Sequence, residues 1–220
     1  MKVSPKRLRY KLKQYRVPTK YIDGWDSRGI DPYNGRSDFH GVLLHHTAGT
    51  DSLNYIINTN RYAPVRACHF LIGRDGRVFV TSGVGAYHAG AGGPWRFAKT
   101  GKDVIVPKDQ GNRHLYGIEI ESLGTRRRID GSAGSMTVEQ VVSTAVLTAA
   151  LLNAIRPGWR SWPVSRVIRH KDWTSRKIDV KQDLGWWHRA INIAKSNRGD
   201  PARRRQLIEQ FVQENPKGRI

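Results

Sequence analysis

Two histidines stand together at the end of an apolar run, Gly41-Val42-Leu43-Leu44-His45-His46. A third, His170, ends the stretch Val167-Ile168-Arg169-His170, and two acids, Asp172 and Asp179, follow it closely. Imidazole and carboxylate are the donors of a borderline metal such as zinc. Three protein ligands leave a fourth position for water, which suits a catalytic site. A closed structural site would draw on cysteines, and the chain has one, Cys68. Side chains alternate across a strand, so His45 and His46 point to opposite faces and cannot easily serve one ion. The other histidine is left to packing or an outer hydrogen bond. Asp172, two residues past His170, suits a cap on the following turn better than a ligand. Glu119 and Glu121 lie in and just after an apolar strand pattern at 116–120, where a charge is costly without a purpose. A carboxylate beside a metal can take a proton from water and return it to a leaving group. The two share a strand face, so spacing alone does not separate them.

The elements that must hold these groups are visible as periodicities. Short apolar runs predict strands at 42–45, 68–72, 77–80, 116–120 and 167–170, with Arg74-Asp75-Gly76 as a hairpin turn between the second and third. Residues 51–58 read as a helix capped by Asp51. Thr137 and Gln140 form a capping box, and Val138, Val141, Val142, Ala145, Val146, Ala149 and Leu152 recur at helical spacing until Pro157-Gly158. Asp183 is placed to cap a helix through Trp187 and Ile191. Asp200-Pro201 opens another, whose narrow stripe of Leu207, Ile208, Phe211 and Val212 is expected to dock on the domain. Strands interleaved with helices predict an α/β layer structure around one central sheet. Leu8, Leu12 and Tyr15 mark an amphipathic helix within 2–20, expected to pack lightly, and Val17-Pro18 ends it. Residues 24–36 read as a loop. Residues 92–113, rich in Gly and Lys, read as an insertion beside the site, a flap or a passive loop. Trp159, Trp162, Trp173, Trp186 and Trp187 are expected in the core. The division is a basic extension over 1–36, a catalytic domain over 37–197, and a C-terminal amphipathic helix and tail over 198–220.

Composition bounds the partners. At 220 residues and 38% hydrophobic, the chain can bury a full core as one domain. No apolar stretch approaches the roughly 20 residues of a transmembrane segment, and no signal-peptide apolar region follows the basic N-terminus. One cysteine is compatible with synthesis in a reducing compartment. The formal charge is +20, of which residues 1–20 carry +8. Such a charge attracts polyanions in general. With no nucleic-acid-binding motif present, specific nucleic-acid recognition is not expected, and the charge is compatible with any anionic partner, nucleic acid, anionic lipid and anionic wall polymers among them.

Four pieces in order, Leu43 to Gly49, Cys68 to Val80, Gly117 to Glu121, and His170 with Lys177-Ile178-Asp179, carry a resemblance that runs over 41–195, most of the chain. Together they resemble the zinc-dependent N-acetylmuramoyl-L-alanine amidases of the phage-lysozyme, AmpD and peptidoglycan-recognition-protein group. The resemblance implies a single domain with a central mixed β-sheet flanked by helices. It implies that His45, His170 and Asp179 hold Zn2+, that Glu119 is general base and then acid, and that Lys177 stabilises an oxyanion. It places His88, within Tyr87-His88-Ala89-Gly90, and His69 against the substrate. That substrate is bacterial peptidoglycan, cut between N-acetylmuramic acid and L-alanine. Recognition proteins that bind without cutting often lack the third ligand; Asp179 is present, which favours catalysis over a non-catalytic binding module. The chain then reads as a monomeric phage endolysin, made in the host cytoplasm and acting at the cell wall. Two positions depart from the pattern. Val180 stands where a proline usually follows the last ligand, and Cys68 where a tyrosine lies near the metal in some relatives.

Overall fold

The apolar runs fold as strands with both faces covered. The protein is described by a computed structural model over residues 3–30, 38–58, 66–97, 104–156 and 163–219. In chain order these hold α1 (Pro5–Gln14), β1 (Thr19–Tyr21), β2 (Gly41–His46), α2 (Leu53–Ile57), β3 (Phe70–Ile72), β4 (Val78–Val80), β5 (Trp95–Phe97) and β6 (Val104–Val106). There follow α3 (Gly111–His114), β7 (Leu115–Ile120), α4 (Val138–Ile155), β8 (Val167–Arg169), α5 (His170–Trp173), α6 (Leu184–Ser196) and α7 (Pro201–Glu214). One six-stranded sheet runs β1-β4-β3-β7-β2-β8. The pairs β3–β7, β7–β2, β2–β8 and β1–β4 are parallel, and only β3–β4 is antiparallel. The sheet is therefore mixed, as expected.

Strand alternation sorts the sheet into two faces. Val42 and Leu44 of β2, Tyr116, Ile118 and Ile120 of β7, and Val167 of β8 face the main core with α1, α4, α6 and α7. Leu43, Leu115 and Ile168 face the other way, into a smaller cluster with Ala89, Phe97, Val106 and Trp173. His45, Gly117 and Glu119 continue that second face, so the site lies on it, at the carboxyl ends of parallel strands. Crevices at that end of an α/β sheet are where ligands commonly sit.

The helices follow their local signals, with some corrections. Thr137 accepts from the Gln140 N–H, and the Gln140 side chain takes the Thr137 N–H, completing the capping box of α4. Contrary to the expectation that no apolar stretch approaches a span, this helix is long and apolar enough to cross a membrane by length and composition. It is instead the central core helix, with 83% of it buried. The cap of α2 is Ser52 rather than Asp51, and its N–H is held by Glu121 Oε1 at 2.7 Å. Asp200 accepts from the Arg203 N–H, and α7 docks through Ile208, Phe211 and Val212. Asp183 sits at the cap position of α6 with its carboxylate given to Arg127 instead. The amphipathic helix near the N-terminus is packed tightly, not lightly: Leu8 and Leu12 are fully buried, and β1 joins the sheet edge. The described part of 92–113 forms the β5–β6 ribbon and α3, with Phe97 and Val106 buried against the sheet. Trp173, Trp186 and Trp187 are core residues as expected. Trp159, Trp162, Pro157-Gly158, residues 31–36 and residues 98–103 lie outside the described residues.

Candidate active site

Three strand ends bring the chemical groups together. His45 is the last residue but one of β2 and His170 follows β8 directly, while β7, paired with β2, sets Glu119 beside His45 in register. Asp179 comes from the loop after α5, tied back by its own carbonyl, which accepts the Lys171 N–H at 2.7 Å. Val180, the departure from proline, is buried in the main core and anchors that loop by packing. His45 Nδ1 lies 2.8 Å from His170 Nδ1 and 3.5 Å from Asp179 Oδ2, and His170 Nδ1 lies 3.1 Å from the same oxygen. All three residues are buried, and their donor atoms fall within 4.8 Å of one another.

The donor set fits a metal on hydrogen-bond grounds. The His170 Nε2–H donates to the Ala89 carbonyl at 3.2 Å, and His45 Nε2 is engaged with His88 Nδ1 at 3.1 Å. Two imidazole nitrogens and a carboxylate oxygen then converge on one point as acceptors, an arrangement that a cation stabilises. Burial lowers His45 to about 4, so the ring is neutral at neutral pH, as a ligand must be. His170 precedes Asp172, whose carboxylate takes the Arg169 backbone N–H at 2.9 Å and the Arg169 guanidinium at 2.7 and 2.8 Å. Asp172 is thus a cap on α5, not a ligand. His46 projects to the opposite face and packs on Gly124, where an added Cβ would come within 2.4 Å of its ring. Its ring nitrogens have no hydrogen-bond partner among the described residues.

Glu119 is separated from Glu121 by environment. Glu121 is committed to the start of α2, whereas Glu119 Oε1 lies 3.9 Å from His45 Nδ1. Oε2 of Glu119 is buried with no hydrogen-bond partner among the described residues. Burial, together with the nearby Asp179 charge and against the pull of Lys177, raises its pKa to about 8. A groove of about 520 Å³ opens over this cluster, lined by Glu119, His170, Asp179 and Lys177, with exposed Tyr55 and Ile178 at its edge. Lys177 is itself exposed on the groove wall. Cys68 is fully buried beside Thr81, and burial pushes its thiol well above the ordinary range, so it offers no thiolate nucleophile.

The two histidines expected against substrate are placed differently. His69 is fully buried behind the site, its Nδ1 accepting the Gly117 N–H at 2.9 Å, and it does not reach the groove. It stands just before β3, and its side chain turns into the protein. His88 lines the groove, but both its ring nitrogens are used inside the protein: Nδ1 with His45 and Nε2 with the Leu115 carbonyl at 3.0 Å. Its ring lies over Gly117, where an added Cβ would meet it at 2.4 Å. A glycine inside a strand signals such a close approach. Asn112 was not singled out by sequence; its Oδ1 accepts the N–H of His88 and of Ala89 at 2.9 and 2.7 Å.

A family profile for N-acetylmuramoyl-L-alanine amidase matches residues 35–182, more than half of the sequence. The chain belongs to the N-acetylmuramoyl-L-alanine amidase family. Two solved structures with TM-scores above 0.5 show the same fold. AmpDh3 from Pseudomonas aeruginosa is 22% identical with a TM-score of 0.51, over 79% of this chain and 65% of that one. PlyL is 15% identical with a TM-score of 0.51, over 80% and 96%. The Ph2119 endolysin of a Thermus scotoductus bacteriophage is 16% identical with a TM-score of 0.46, over 77% and 97%. The chain therefore spans 65% of the length of AmpDh3. No curated protein matches the sequence significantly.

Proposed function

We propose that this family member is a zinc-dependent amidase that hydrolyses the bond between N-acetylmuramic acid and L-alanine in bacterial peptidoglycan. The observation that carries this reading is the convergence of His45 Nδ1, His170 Nδ1 and an Asp179 oxygen beside a carboxyl with a raised pKa, in an open groove. Two imidazoles and one carboxylate suit zinc among the divalent ions. When bound, zinc supplies a Lewis acid that polarises the amide carbonyl and makes water acidic enough to attack at neutral pH.

The chain's own groups do the rest. Glu119 accepts the proton of the attacking water at a carboxylate oxygen and returns it to the leaving alanine nitrogen. A carboxyl raised into the neutral range can do both near pH 7. Lys177, on the groove wall, offers its ammonium to the oxyanion of the tetrahedral intermediate. The exposed Tyr55 and Ile178 give the groove an apolar edge for the non-reacting part of the substrate. We assign the +8 of residues 1–20 to general attraction toward anionic wall polymers, and the biological role to a phage endolysin made in the host cytoplasm.

The test is metal titration of wall clearing. Chelated protein should leave purified wall suspensions turbid, and about one equivalent of zinc should restore clearing, while His170→Ala should stay inactive at the same zinc level. Clearing that persists under complete chelation would overturn the metal-dependent reading.

A further inference from the structure

The segment Tyr87-His88-Ala89-Gly90 touches both histidines of the donor cluster, and it does so from one short loop. The His88 side chain engages His45 Nε2 at 3.1 Å, and the Ala89 carbonyl engages His170 Nε2 at 3.2 Å. The direction of every proton follows from the groups that cannot donate. A backbone carbonyl only accepts, so His88 Nε2 carries the hydrogen it gives to Leu115 O at 3.0 Å. In a neutral imidazole the other nitrogen is then bare, so His88 Nδ1 accepts, and His45 Nε2 must be the donor. That leaves His45 Nδ1 without a proton. The same logic at Ala89 O leaves His170 Nδ1 bare.

The loop is itself fixed from outside the site. Asn112 Oδ1 takes two consecutive backbone N–H groups, those of His88 and Ala89. Gly117 leaves the space into which the His88 ring is pressed, and Gly92, Gly93 and Gly111 let the flanking chain close over Trp173. Loop backbone, His88 ring and Asn112 are therefore packed as one unit behind the two ligands.

We propose that this loop is a positioning device that sets the tautomer of both histidine ligands, so that His45 and His170 each present Nδ1 to the metal. His88 is then a positioning residue rather than the substrate contact that its sequence context suggests, and Asn112 positions the loop. The proposal rests on the metal site described above and adds the groups that orient it. Partners of this kind typically alter metal affinity by about 10–100-fold when lost.

The direct test uses the wild-type protein loaded with one equivalent of zinc at pH 7. Nitrogen-15 correlation spectra of the imidazoles should show the Nε2–H form for His45, His88 and His170. An Nδ1–H form at His45 or His170 would overturn the proposal without any variant having to fold. Zinc affinity by chelator competition gives the second readout. His88→Leu and Asn112→Leu should each lose about 10–100-fold in affinity, whereas Asn112→Asp, which keeps the acceptor oxygen, should bind as wild type does. Wild-type affinity in His88→Leu, with only KM raised, would mean that the residue serves substrate and not metal. If the wild type takes up no zinc, the metal site itself fails, a result distinct from an Nδ1–H form in the zinc-loaded protein, which overturns only the positioning role.

Discussion

Glu119 and Glu121 are two residues apart and do different work because their oxygens meet different partners. Glu121 caps α2 through the Ser52 N–H, while Glu119 stands beside His45 with a pKa near 8. Glu119→Gln should therefore lower kcat by about 10²–10⁴ while leaving zinc affinity in place, read by turnover assay and calorimetry on the same preparation. Glu121→Gln should keep most of the activity. Equal losses in the two variants would contradict the assignment. Asp179→Ala removes a donor itself, so zinc affinity should fall by more than the about 10–100-fold typical of an outer partner, measured by chelator competition. At this scale the sequence was informative about atoms that must be a given type and silent about partners. Ligand chemistry narrowed the candidates to a few histidines and acids, and the resemblance to the amidases singled out His45, His170 and Asp179. The roles of His88 and Asn112 were not legible, since their effect depends on which backbone carbonyls and N–H groups lie opposite them, and periodicity carries no such information.

At the scale of elements, strands and the long helix were legible because each has a local cause: apolar runs, the Asp75-Gly76 turn, the Thr137 capping box. The N-terminal helix was legible in position but not in weight. Leu8 and Leu12 mark one face of α1, and only the fold reveals that this face meets α4 in the main core. Leu12→Ala should destabilise the protein by about 2–5 kcal/mol in urea unfolding, the range for a buried leucine, and a change below about 1 kcal/mol would restore the picture of a lightly attached arm. The ribbon of β5 and β6 was missed for a similar reason. Its three-residue strands are too short to show a period, and their burial comes from Leu43, Ala89 and Trp173, which are remote in sequence.

At the scale of the whole molecule, burial of neutral histidines ties stability to pH. In the metal-free protein His45 is lowered to about 4 and His69 to about 3, both mainly by burial. Between those values and 6.5 the unfolded chain binds more protons than the native one, so stability falls as pH falls, by about 1.4 kcal/mol per pH unit for each group. Glu119 acts in the opposite sense, because its raised pKa makes the native state bind the extra proton between about 4.5 and 8. The net expectation is a melting temperature that drops from pH 6.5 to pH 5, and a steeper drop in Glu119→Gln, where the opposing group is gone. A flat profile in both proteins would contradict the buried-neutral account. The +20 charge adds a salt-dependent attraction to wall polyanions but does not choose the bond that is cut. That choice belongs to the groove, and it is tested most directly by identifying the new chemical end released from purified peptidoglycan. The account predicts free α-amino groups of alanine, appearing only with zinc and absent in Glu119→Gln, with no new reducing sugar ends. New reducing ends, or intact wall in the presence of bound zinc, would contradict it.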